Sequence, residues 1–351
     1  MNKALKYGMA AGAGFILLDV LLQYQELKKQ GLANSFSQFF ENYDGVMGVK
    51  KAAIGGVIGA ATGFVVQEIE DDEIENAESF NQNNYLSTIL KENAVDRTSI
   101  TYQEDQSFIA DIQSFCLATF GSLIIDSPIK AGSNQKRTAT ESSDYDLVLP
   151  FKKTAPPLRE LHEMVEEKLS GLGIDDLKIR KQNRSLGLFR ERGDSTFQKI
   201  DIVPAKERGN YWGKKDLTIW DKKRESHLKT NIHIHNSEVK GMPEIRDVIK
   251  LLKIYKEKQG LDVPTPLMSR LLIDSFNKRP VSSSKAANFK TGLEILAKGM
   301  DRVNVQDSAN GNNNLISQLS DAIKIKNKKR LLNDLELIEE NPRNFKKLFD
   351  K

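Results

Sequence analysis

Two runs almost free of charge open the chain. Tyr7–Leu18 carries none, Asp19 interrupts, and Val20–Leu22 resumes; Ala52–Val66 is a second uncharged run. Small residues recur four apart in both, at Gly8 and Gly12 and at Gly55, Gly59 and Gly63. That spacing lets helices approach closely and predicts a glycine-rich apolar helical hairpin over residues 1–67 that enters a membrane or self-associates. Each run falls short of the ~20 apolar residues of a spanning helix, so a hairpin packed through its own glycines is the competing expectation. Glu68–Glu78 is dense in acids and Asn81–Asn84 is polar, which reads as a solvated linker over 68–99. From Tyr102 to Phe120 the apolar positions fall at helical spacing (Phe108, Ile109, Ile112, Phe115). Strand-like runs then alternate with one amphipathic helix: Leu147–Phe151, the helix Leu158–Leu169 ending at Gly171, then Leu177–Lys181, Ser185–Phe189 and Phe197–Val203. Beyond a polar stretch, Lys206–Asn236, the pattern is helical: Met242–Lys258, a helix begun by Pro264-Thr265-Pro266, and a charged helix over Ile316–Leu348. The expectation is an α/β domain over 100–236 followed by a helical lobe over 237–351.

Composition narrows the reading only a little. Lys+Arg number 52 against 48 Asp+Glu, a net +4 in 351 residues, too balanced for a protein that coats nucleic acid. The one cysteine, Cys116, excludes an internal disulfide framework, fits a reducing, cytoplasmic setting, and lies in the apolar pattern of a helix. His233-Ile234-His235 has only His227 nearby and no cysteine, so it reads as structural rather than as a metal pair. There is no G-x-x-x-x-G-K-[ST] and no G-x-G-x-x-G, which argues against a P-loop or Rossmann enzyme.

The chemistry is concentrated in Gly132–Phe151, GSNQKRTATESSDYDLVLPF. On a strand, residues i and i+2 share a face, so Asp144 and Asp146 project together while Tyr145 and Leu147 point away. Two carboxylates side by side repel, and the cost is tolerated where a divalent cation sits; hard oxygen ligands of this kind suit Mg²⁺. Gly132-Ser133 would form a tight turn whose N–H groups and hydroxyl can approach a phosphate.

The pattern G-S, Lys136, Thr138-Ala139 and S-D-x-D-L-V resembles the active-site signature of the polymerase-β-type nucleotidyltransferases. It is most similar to the branch holding the oligoadenylate synthases, cyclic GMP–AMP synthase and the bacterial CD-NTases. The resemblance implies a mixed-sheet nucleotidyltransferase core with a helical C-terminal lobe, covering about residues 100–325, with the N-terminal hairpin outside it. It also implies a third carboxylate on a neighbouring strand, and Phe197–Ala205 (FQKIDIVPA) supplies Asp201. Leu251–Lys256 is similar to the helix in which the family's lysine, here Lys253, reaches nucleotide phosphates. Leu267–Leu272 is similar to its Pro-Ser-aromatic segment, with Ser269 matching and Arg270 in place of the aromatic. Val305–Asp307 and Asn312–Asn314 match a C-terminal stretch in which Ser308 replaces a proline.

What the resemblance implies is metal-dependent nucleotidyl transfer. Asp144, Asp146 and Asp201 would be catalytic and hold Mg²⁺ or Mn²⁺, two ions in all. Gly132, Ser133, Lys136, Thr138, Lys253 and Ser269 would bind the nucleotide. The leading expectation is synthesis of a linear or cyclic nucleotide second messenger from NTPs in bacterial anti-phage signalling, with an effector protein sensing the product. The alternatives are template-independent synthesis or tailing of a DNA or RNA oligonucleotide from NTPs or dNTPs on an acceptor, and a non-catalytic membrane-anchored scaffold.

Overall fold

The computed structural model describes residues 80–350 except 175 and 192–196. The apolar hairpin expected over 1–67, with its membrane or self-association role, and the acidic part of the linker lie outside the described residues. Among the described residues, no helix is long and apolar enough to cross a membrane.

The elements, in chain order, are α1 (Gln82–Glu92), α2 (Ile100–Phe120), β1 (Ile129–Ala131), α3 (Gly132–Lys136), β2 (Tyr145–Phe151), α4 (Leu158–Ser170), β3 (Leu177–Lys181), β4 (Leu186–Glu191) and β5 (Phe197–Glu207). They continue with α5 (Tyr211–Lys214), β6 (Leu217–Asp221), β7 (Ser226–Thr230), α6 (Ile232–Ser237), α7 (Pro243–Gln259), α8 (Thr265–Phe276), α9 (Lys285–Gly299), β8 (Gln306–Asp307), β9 (Asn310–Asn314), α10 (Asp321–Glu340) and α11 (Phe345–Phe349). The strands form the mixed sheet expected, in the order β1-β2-β5-β4-β3, with β6 on the far part of β5 and β7 outside it. Only β2 and β5 pair in parallel; the remaining neighbours are antiparallel.

Alternation divides the sheet into two faces. Leu147, Leu149 and Phe151 of β2, with Ile200 and Ile202 of β5, pack on α2 and α4 through Phe108, Ile112, Leu161 and Val165. The opposite face carries Val148, Val203 and Ala205 against Ala131, Leu217 and Ile232. Asp146 and Asp201 share that second face and stand at its open end.

α7, α8 and α9 form the second core with α10 and α11, around Phe289, whose ring meets Tyr255, Phe345 and Phe349 at 5.8, 5.9 and 5.4 Å. The geometry is that of aromatic rings packed edge to face or tilted.

Three sequence expectations are corrected. Within the stretch read as linker, Gln82–Glu92 is a helix whose N-cap Asn81 accepts from the Asn84 N–H, and it buries Leu86 and Ile89 in the helical lobe. Its apolar positions are too few to announce it, and only the lobe supplies their partners. The polar stretch 206–236 contains the hairpin β6–β7, which extends the sheet from β5. The charged helix over 316–348 is interrupted: α10 ends at Glu340, and Asn341-Pro342 starts a short 3₁₀ turn before α11. Proline has no N–H to continue the ladder, and the Asn341 side chain instead accepts from the Arg343 N–H.

Candidate active site

The parallel pairing of β2 and β5 sets Asp146 directly opposite Asp201. Asp144, just before β2, lies on the side of Asp146, so three carboxylates from two strands open into one cleft of about 800 Å³. All nine residues singled out in the sequence line that cleft: Gly132, Ser133, Lys136, Thr138, Asp144, Asp146, Asp201, Lys253 and Ser269.

Crowding is visible in the protonation of the carboxylates. Burial, followed by the charges of Asp201 and Asp144, pushes Asp146 up to about 7. Asp201 is raised by burial and by Asp144, against hydrogen bonds from Ser185 and Gln182 that lower it. Asp144 is raised by burial too, opposed by Lys199, whose Nζ is 3.8 Å from its Oδ1, and by Lys253. These are acids that lack sufficient positive charge.

Asp201 is gripped from behind. Gln182 Nε2 donates to its Oδ1 at 2.9 Å, and Ser185 Oγ lies 2.8 Å from Gln182 Oε1 and 3.3 Å from Asp201 Oδ2. Gly187, paired with Asp201 across β4–β5, makes the grip possible, because a Cβ there would stand 2.6 Å from Gln182 Nε2.

The Gly-Ser turn is built against the same acids. Gly132 has φ +72°, and a Cβ on it would overlap the Asp146 carboxylate. Glycine therefore meets two demands at once, left-handed backbone and close approach. The next residues form α3, which ends with Arg137 also left-handed, at φ 59°. The Thr138 N–H bonds the Ser133 carbonyl at 2.9 Å.

Lys253 enters from α7. Its Nζ donates to the Thr138 carbonyl at 3.1 Å and to Ser143 Oγ at 2.9 Å. Burial, with Lys256 next, lowers its pKa to about 8, while Asp146, Glu257 and Asp144 hold it up. Lys136 is less free: its Nζ is 2.7 Å from Glu238 Oε2. Burial works against that carboxylate, yet hydrogen bonding from His235 and Lys136 brings it down to about 2. His235 also faces Asp307 at 3.4 Å, so this histidine, and not His233, ties α6 to the β8–β9 hairpin. Ser269 is buried at the start of α8. Arg270 turns away to Asp274 at 2.8 Å, and no aromatic side chain lines the cleft among the described residues.

Lys256 and Glu257, three and four residues past Lys253, also line the cleft, and their helical spacing could have identified them. Gln182 and Ser185 left no such signal. Beside the site, Arg184, between β3 and β4, forks onto Asp221 at 2.7 and 3.0 Å, and Lys181 of β3 pairs with Glu166 at 2.7 Å.

Among the described residues, no three acidic, imidazole or thiol groups are arranged so as to hold a metal ion. The donors nevertheless fit a hard divalent cation: three carboxylates lining one cleft, each raised by burial, with Asp146 and Asp201 raised further by neighbouring carboxylates.

No family model matches the chain, and no curated protein sequence is similar to it. Solved structures are. Escherichia coli MS115-1 CdnC, in a complex with HORMA-deltaN, is 17% identical with a TM-score of 0.58, over 73% of this chain and 90% of that one. CdnG of Bradyrhizobium diazoefficiens, a CD-NTase in complex with GTP, is 12% identical with a TM-score of 0.62, over 77% and 95%. The cyclic dinucleotide synthase CdnE of Elizabethkingia meningoseptica, with GTP and Apcpp, is 14% identical with a TM-score of 0.52, over 66% and 91%. The chain has the CD-NTase fold, an α/β nucleotidyltransferase architecture.

Proposed function

We propose that this chain is a metal-dependent nucleotidyltransferase that joins NTPs into a linear or cyclic oligonucleotide second messenger, releasing pyrophosphate. The observation that carries the reading is the facing of Asp146 and Asp201 across β2–β5, with Asp144 beside them and Gly132 packed on the carboxylate. Asp144, Asp146 and Asp201 would hold Mg²⁺ or Mn²⁺. Bound there, the metal would lower the pKa of the acceptor's attacking hydroxyl and neutralise charge on the departing pyrophosphate.

The chain's own residues position the substrate. The turn at Gly132-Ser133 presents N–H groups and a hydroxyl to the β and γ phosphates. Lys253, charged at neutral pH and held by Thr138 and Ser143, adds a fixed cation close to them. Phosphoryl chemistry asks for position and charge rather than a protein nucleophile, and the cleft supplies both. A scaffold on the same fold would have no use for three acids crowded into one cleft. Synthases of this kind fit anti-phage signalling, in which an effector protein reads the product.

Incubation with labelled NTPs and dNTPs plus Mg²⁺ or Mn²⁺, with products resolved, tests the reading: oligonucleotides and pyrophosphate are expected from wild type and neither from Asp201→Ala. Unaltered nucleotides, or equal turnover by the variant, would overturn it. Gln182→Leu should act more mildly. It removes one donor to Asp201, a hydrogen bond to a charged group worth about 1.5–3 kcal/mol, so activity should fall on the order of tenfold and require more Mg²⁺. A Mg²⁺ dependence identical to wild type would mean that the amide does not position Asp201.

A further inference from the structure

α3 divides two cavities. Ser133 and Lys136 face the cleft, whereas Asn134, Gln135 and Arg137 line a second cavity of about 380 Å³. Its other walls are Arg97, before α2, then Tyr102, Gln106 and Ile109 of α2, and Lys130 of β1.

The charge in this cavity is unbalanced. Among the described residues, Lys130 donates only to the neutral Gln106 Oε1, at 3.1 Å. Arg97 and Arg137 have no ion-pair partner among the described residues. The single carboxylate in the lining, Asp146, also belongs to the cleft. A guanidinium fork matches phosphate oxygens two at a time, and two forks with an ammonium around one space form an anion site. The volume lies at the lower end of small-molecule pockets, ~300–1,000 Å³. Tyr102 and Ile109 provide an apolar surface, and Gln106, Asn134 and Gln135 provide amides, for whatever carries the phosphate.

Arg137 joins the two cavities. Its left-handed backbone is uncommon for a non-glycine residue, and such conformations gather at ligand clamps. The next residue, Thr138, bonds Ser133 through its N–H and accepts from Lys253 through its carbonyl. A pull on Arg137 therefore reaches both the phosphate turn and the lysine clamp.

We propose that the second cavity binds a phosphate group, free or borne by a mononucleotide, and that occupancy tightens the turn through Arg137. This goes beyond the proposed transfer reaction and does not require it.

Calorimetric titration of the full chain without divalent metal tests the site, using inorganic phosphate and AMP as probes. Lys253→Met serves as the variant with a weakened cleft and Arg97→Glu as the variant of the second cavity, with thermal melts confirming that each is folded. AMP should bind wild type and Lys253→Met alike and bind Arg97→Glu about tenfold or more weakly, as expected for loss of a charge-assisted bond and its replacement by a repulsive charge. Phosphate binding as tightly as AMP would identify the free anion as the ligand, and AMP binding more tightly would identify a nucleotide; both support the site. Binding lost in Lys253→Met and unchanged in Arg97→Glu would place the ligand in the cleft and overturn the proposal. Hydrogen exchange at the Thr138 N–H should slow when AMP binds, and unchanged exchange would overturn the coupling through Arg137.

Discussion

Asp144→Asn combined with Asp146→Asn should abolish nucleotide incorporation while the metal-free protein melts no lower than wild type, and higher above neutral pH. The two effects share one cause. Asp146 is held near pKa 7, well above the ordinary aspartate value of 3.8, by burial first and by Asp201 and Asp144 after it. A carboxyl whose folded pKa is raised binds a proton more readily in the native state than in the unfolded one. Its folded form therefore loses stability as pH rises from about 4 to about 7, and stays penalised above that. The penalty is on the order of 4 kcal/mol, at about 1.36 kcal/mol per pH unit. Asparagine keeps the shape without the charge, so the loss of stability between pH 4 and 7 should flatten. Removing two metal-holding charges at the same time costs transition-state stabilisation that nothing else in the cleft supplies. Product formation and thermal melts across pH measure both. A variant that incorporates nucleotide as wild type does would discard the active-site assignment, and one that melts well below wild type at pH 8 would discard the electrostatic account.

How much of this was legible in the sequence follows the range of the interactions. Asp144 and Asp146 could be placed on one face because strand alternation is local, and the third carboxylate could be sought because the resemblance to the nucleotidyltransferases implies one. The facing of Asp146 and Asp201 is a matter of register between strands 55 residues apart (201 − 146), and both strands have the apolar neighbours that fix it. Other features depend on partners no pattern announces. Lys136 reads as a phosphate contact until Glu238, 102 positions on, appears at 2.7 Å. Gln182 is one polar residue among many until Gly187 leaves room for its amide to reach Asp201. The β6–β7 hairpin was hidden by polar alternation around Trp220 and His227, whose rings meet across the strands at 5.3 Å. The helix Gln82–Glu92 was hidden because only Leu86 and Ile89 are buried, and their partners lie far along the chain.

Gly132→Ala should cost nearly as much activity as losing a carboxylate, although it removes no functional group. Two penalties add at this position. The left-handed backbone, φ +72°, disfavours any residue with a Cβ, by about 1–2 kcal/mol. The new methyl would also overlap the Asp146 carboxylate, so either that side chain or α3 must move. Both belong to the site, and a displacement near 1 Å in a positioning element costs on the order of 10²-fold in rate. Gly241→Ala separates the two effects, since Gly241 has φ +77° and nothing within 4 Å of its would-be Cβ. That control should lose only the backbone term, a few degrees of melting temperature, and keep full nucleotide incorporation. Gly132→Ala should melt lower still and fall about a hundredfold in turnover. If the two alanine variants turn over alike, the close packing of the Gly-Ser turn on Asp146 is not what positions the phosphates, and the turn's role would have to rest on its N–H groups alone.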